Sequence, residues 1–260
     1  MGSQIPPIPY RLPTLPVVVV CLLLFLGGSV PAPSQEVESR WPPMIEKVDQ
    51  MMLEGKWKRG AKAAARTARQ LIRDSWGPRE SGGWLAELAL YRAVAEANLG
   101  NRGEAVWYWH VAQNLDPKIR TRDLSPYGSA AKVLLEYPLR PKGKAPPGVK
   151  VERPRPGGRF QMPEVPPVPK SVVQGNPRFE RERTAASDVE MLIDEDGVFS
   201  HPIVLTPSIS HPFLTYAVLE FLHETSPLPP ARLDGKPVAV VVPIDIPLDY
   251  SRWGNRADGR

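Results

Sequence analysis

Pro230-Ala231-Arg232-Leu233-Asp234-Gly235-Lys236-Pro237-Val238, followed by the apolar run Ala239 to Val242, is the stretch on which the fold turns. Asp234-Gly235 is a turn signal: a short polar side chain precedes a residue free to take positive φ. The stretch behind it, Val238 to Ile246, reads as a strand. Further upstream, Val189, Met191 and Ile193 alternate with Glu190, Leu192 and Asp194, the pattern of a strand with one buried face. Asp194-Glu195-Asp196-Gly197 supplies a turn, and Val198 to Leu205 returns, with Pro202 confined to an edge or a bulge. Between the strands, Ser210 can cap a helix with Pro212 in its first turn. Leu214, Ala217, Val218, Phe221 and Leu222 form that helix's apolar face. The expected product is a small antiparallel sheet packed by one main helix.

Working outward, residues 44–137 are rich in Ala, Leu, Arg, Lys and Glu and read as helical. From Trp84 a first helix runs through Leu90, Tyr91 and Ala93 to a break at Gly100-Asn101, and a second carries Ala105, Trp109 and Ala112 up to Pro117. That spacing of small, aromatic, small and proline resembles the second helix of a tetratricopeptide repeat. Leu53 to Ala68 is a weaker copy, and a third helix is expected from Tyr127 to Tyr137. An ordinary helical hairpin bundle accounts for the same pattern. Trp107 and Tyr108, next to Trp109, are candidate linings of a peptide groove.

The chain has 260 residues, 32 prolines and a net charge of +5. Average usage of proline is about 5%, and the excess is clustered. Residues 138–170 hold ten prolines, with eight Lys/Arg against two Asp/Glu, whereas 171–260 hold eight against thirteen. Residues 138–175 therefore read as a basic, proline-rich linker of polyproline II character, reaching roughly 100 Å over 138–170 if fully extended. At the other end, Arg11 precedes the apolar run Val17 to Leu26 and then Gly27-Gly28-Ser29-Val30-Pro31-Ala32. Residues 1–32 are thus expected to be a secretory signal peptide or a short membrane anchor. The run is brief for a span of about 30 Å of hydrocarbon. Cys21 within it is the only cysteine, so an intramolecular disulfide and a multi-thiolate metal site are excluded.

Three motifs in order, Ile193-Asp194-x-Asp196-Gly197-Val198, Pro230 to Val238, and Val242-Pro243-Ile244-x-Ile246, make residues 176–250 resemble the C-terminal domain of TonB-type energy transducers. The proline-rich spacer before them adds to the likeness. Asn176-Pro177 stands where the family often has Tyr-Pro, and Ser226-Pro227-Leu228-Pro229 where it often has a Trp-x-Phe pair. The resemblance implies protein binding, with a receptor segment added as a strand to the sheet. Val238, Val240 and Val242 are the candidate edge, and an internal strand facing the helix is the competing reading for them.

The expected architecture is α+β and multi-domain. A helical tetratricopeptide-like domain (41–137), the linker (138–175), a TonB-like domain (176–250) and a polar tail (251–260) follow the N-terminal segment. The expected localisation is the periplasm, or the inner membrane facing it. The expected partners are envelope proteins, an outer-membrane receptor among them, with the inner membrane added if the N-terminus stays uncleaved, and no nucleic acid. The alternative function is a periplasmic scaffold whose helical domain binds the main partner. No cofactor, metal or catalytic residue is expected. The Asp194–Gly197 turn lacks the further oxygen ligands of a calcium loop, His201, His211 and His223 have no metal spacing, and no nucleophile stands with a base and an orienter.

Overall fold

The helical stretch forms because its apolar positions recur at helical spacing and glycines punctuate it. In the computed structural model, which describes residues 40–74, 80–153, 159–163, 165, 186–205 and 212–247, α1 (Trp41–Leu53), α2 (Trp57–Asp74), α3 (Glu80–Asn98) and α4 (Arg102–Leu115) follow one another. Gly55 and Gly100, at φ 69° and 83°, make the turns after α1 and α3. Ala93, Ala105 and Ala112 are buried between helices, and α4 stops two residues before Pro117. The helix expected over 127–137 is instead a 3-10 turn (Ser125–Tyr127), a single helical turn α5 (Ser129–Lys132) and a second 3-10 turn (Val133–Glu136). Gly128 between the first two, at φ 92°, is incompatible with a continuous helix.

Two three-stranded antiparallel sheets complete an α+β fold with six α-helices among the described residues. The larger sheet joins β2 (Ala186–Ile193), β3 (Phe199–Val204) and β6 (Val240–Pro247) in the order β3-β2-β6, with α6 (Pro212–Thr225) between β3 and β6 in the chain. The smaller joins β1 (Phe160–Gln161), β4 (Arg232–Leu233) and β5 (Lys236–Pro237), with the Asp234-Gly235 turn linking β4 to β5. Gly197 closes the β2–β3 turn at φ 82°, and a Cβ there would lie 1.7 Å from the Leu228 carbonyl oxygen.

The stretches 41–137 and 186–247 share one continuous apolar core. The reason is visible in α6, where every residue from Phe213 to Leu222 is buried. A helix buried all round needs cover on both sides, and α3 and α4 supply what the sheet does not. The sheet differs from expectation in the same sense. β2 is buried on both faces, with Glu190 and Leu192 covered as well as Val189, Met191 and Ile193. The second cover comes from the described part of the stretch read as an extended linker. Arg140 and Gly143 bond Glu190, and the Glu152 N–H donates to the Ala239 carbonyl at 2.9 Å. The N-terminal segment 1–32, the tail 251–260, Ser210 and Asn176-Pro177 lie outside the described residues. No helix among the described residues is long and apolar enough to cross a membrane.

Candidate protein-binding site

A sheet has two edges, and in this one they are treated differently. The β3 edge is sealed by a side chain of α4. The Asn114 amide donates to the Pro202 carbonyl and accepts from the Val204 N–H, both at 2.9 Å, doing for β3 what another strand would do. Its neighbour Gln113 treats the chain after α5 alike, donating to the Tyr137 carbonyl and accepting from the Leu139 N–H, both at 3.2 Å. β3 is also bulged: Glu190 pairs with Ile203 but Leu192 with Ser200, so His201 and Pro202 together oppose Met191. His201 takes φ 52° to make the bulge, and Pro202 thereby fits an edge strand.

The outer edge of β6 carries no further strand among the described residues. Among the described residues β6 pairs only with β2, in unbroken register from Ala186↔Pro247 to Ile193↔Val240. Backbone groups alternate in direction along an antiparallel strand. The Ala239 carbonyl faces outward to Glu152, so residues 241, 243, 245 and 247 present their backbone groups at the free edge. Pro243 and Pro247 carry no N–H, which leaves Val241 and Asp245 as the donors. These two donors restrict the register in which any further strand could pair here.

Of the residues singled out in the sequence, Val240 and Val242 point their side chains into the core, at 1% and 8% exposure, opposite Ile193 and Met191. By the same alternation their backbone groups face β2, so neither residue contributes to the free edge. Val238 precedes the strand, half-buried, with its N–H on the Ala231 carbonyl at 2.9 Å. Trp107 and Tyr108 line no groove: both are buried against α6. The Trp107 ring stacks on His223 at 5.0 Å, and the Tyr108 hydroxyl accepts from Arg92. The structure does not bring these two aromatics together with the β6 edge.

Most of the polar groups that join the helical stretch to the C-terminal stretch, Arg92, Glu220, Glu104, Arg140 and His110 among them, were not singled out in the sequence. Arg92 of α3 donates to the Tyr216 hydroxyl at 3.1 Å and the Glu220 carboxylate at 2.7 Å, locking α6 in place. Burial raises the Tyr108 hydroxyl's pKa and pushes that of Tyr216 up to about 12. His223 and Glu104 meet at 2.6 Å, and that hydrogen bond holds the Glu104 carboxyl below the usual range. On the other side, Arg140 and Glu190 form an ion pair with both side chains almost wholly buried. The His110 and His201 rings lie 4.9 Å apart. Burial first, then the neighbouring ring of His201 in the case of His110 and the Arg140 guanidinium in both, lower their pKa values to about 3 and about 4. Glu190 carried a legible sign, a carboxylate inside an apolar run, but its partner lies 50 positions away.

No group of three or more His, Cys, Asp or Glu among the described residues could hold a metal ion. Comparisons with protein-family models, with curated proteins and with solved structures found no match.

Proposed function

We propose that this chain is an exported, non-enzymatic protein of the cell envelope that captures an extended segment of another envelope protein along β6. The observation that carries the reading is the difference between the two edges: Asn114 occupies the edge of β3, while β6 has no strand partner beyond β2 among the described residues. Strand addition to an open edge is a general mode of peptide recognition, with main-chain hydrogen bonds supplying affinity. The order strand, turn, strand, helix, Pro230–Val238 and strand, with the first strand central, supports the TonB-like reading of this part. On that reading the captured segment belongs to an outer-membrane transporter. Energy transduction follows where the Val17–Leu26 run stays in the inner membrane.

The test is a photo-crosslinker placed at the exposed Pro243 in the full chain in cells. Crosslinks to an envelope protein are expected, and Val241→Pro, which removes an edge donor without touching β2, is expected to abolish them. Crosslinks that survive Val241→Pro would sink strand addition. One observation favours a second reading, the scaffold. A groove of about 240 Å³ lined by Ala97, Ala105, Val106, Val133, Leu134 and Tyr137 leaves Val133 41% exposed. Partner retention lost on Val133→Ser and kept on Val241→Pro would select it.

A further inference from the structure

α2 has an exposed face of one sign. Among the described side chains of α2, Lys58, Arg59, Lys62, Arg66, Arg69 and Arg73 are the exposed ones, while Ala64, Ala68, Leu71 and Ile72 bury into the core. At about 100° per residue, positions 59, 62, 66, 69 and 73 fall within an arc of about 80° and cover about 21 Å of helix. Among the described residues no ion pair holds Lys58, Arg59, Lys62 or Arg66; Arg69 reaches Glu220 and Glu224, each at 3.4 Å.

This arrangement works against the helix itself. Like charges three and four residues apart repel. Lys58 and Arg59 also sit in a first turn with no acidic residue, where the helix dipole disfavours cations. A mixed-sign face would solvate the helix equally well, so solvation alone does not account for the stripe.

We propose that this face of α2 docks on the anionic headgroups of a lipid bilayer. Two observations favour lipid over nucleic acid. The apolar run Val17–Leu26 ends only fourteen residues before α1, a tether of at most about 50 Å, which keeps α2 near whatever membrane holds that run. The face also lacks interleaved aromatics on which bases could stack, since Trp57, the one aromatic of α2, is half-buried against the core. The apolar side of α2 belongs to the core, so the contact is with headgroups alone and weakens with salt.

Each cation at an anionic surface raises affinity about fivefold, so removing four lowers it by roughly 600-fold. The experiment compares the full chain with the variant Lys58→Gln/Arg59→Gln/Lys62→Gln/Arg66→Gln. Its readout is partitioning onto vesicles of about one-third phosphatidylglycerol, divided by partitioning onto pure phosphatidylcholine, which cancels the contribution of the apolar run. The expected ratio is high for the wild type, falls with salt, and collapses in the variant. The variant's melting temperature, expected to be unchanged or raised, shows that it is folded. Lys142→Gln/Lys144→Gln, which removes two exposed cations elsewhere, is expected to leave the ratio intact. Equal ratios for wild type and the four-site variant would overturn the proposal, as would an equal loss in the Lys142/Lys144 control. So would a single-stranded oligonucleotide that, at matched phosphate concentration, strips the wild type from anionic vesicles.

Discussion

Breaking the Arg140–Glu190 pair is expected to cost more than any other polar substitution in the sheet. The Arg140 side chain is 2% exposed and that of Glu190 6%. The carboxylate also accepts from the Gly143 N–H, at 2.8 and 3.1 Å to its two oxygens, and Arg140 donates to the Lys144 carbonyl at 2.9 Å. Arg140→Met leaves a buried carboxylate with one amide donor. Glu190→Met leaves a buried guanidinium uncompensated. Each is expected to lose about 3–5 kcal/mol. For a folded part of this size that is a fall of roughly 6–20 °C in melting temperature. Arg140→Met/Glu190→Met replaces the pair by apolar groups of similar length and is expected to recover most of the loss. The assay is urea denaturation of all three variants beside the wild type, with the denaturant slope checked for constancy. Single variants that cost under about 1 kcal/mol, or a double variant whose cost equals the sum of the singles, would refute the reasoning. The pair matters to the proposed site because it fastens residues 140–144 over the central strand that supports β6.

Two further outcomes follow from the described geometry. The His110 and His201 rings stay neutral when folded, at about 3 and about 4, whereas an unfolded histidine takes up its proton near pH 6.5. Stability is therefore complete above about pH 6.5 and drains as pH falls toward 4, by up to about 1.4 kcal/mol per pH unit for each ring; His110→Phe should roughly halve that slope in urea midpoints between pH 7 and about 5, and an unchanged slope counts against it. Gly197→Ala sets a Cβ against the Leu228 carbonyl and strains φ, so it is expected to cost more than about 3 kcal/mol. Gly100→Ala, at a similar φ with nothing within 4 Å, should cost only about 1 kcal/mol by thermal melting, and equal losses would disprove the steric argument.

Elements whose causes are local were legible in the chain alone. The turn at Asp194–Gly197, the helix opening at Pro212, the break at Gly100, the stop before Pro117 and the Asp234-Gly235 turn each follow from one residue's backbone freedom or from a hydrophobic period. Pro202 was legible as an edge or bulge residue for the same reason, and the structure uses it as both. What only tertiary structure decided is where those elements seek their cover. Nothing in Trp107-Tyr108-Trp109 says that its first two rings face α6, or that α6 is buried on every side. Nothing in residues 138–153 says that a basic, proline-rich stretch folds over a strand, because that depends on Glu190, a single carboxylate far along the chain. The edge of β6 left unpaired among the described residues and the sealed edge of β3 are likewise invisible in either strand. They depend on Asn114, a helix residue 88 positions before the carbonyl it binds. Backbone preference is a property of neighbours in sequence, whereas burial, ion pairing and edge closure belong to neighbours in space.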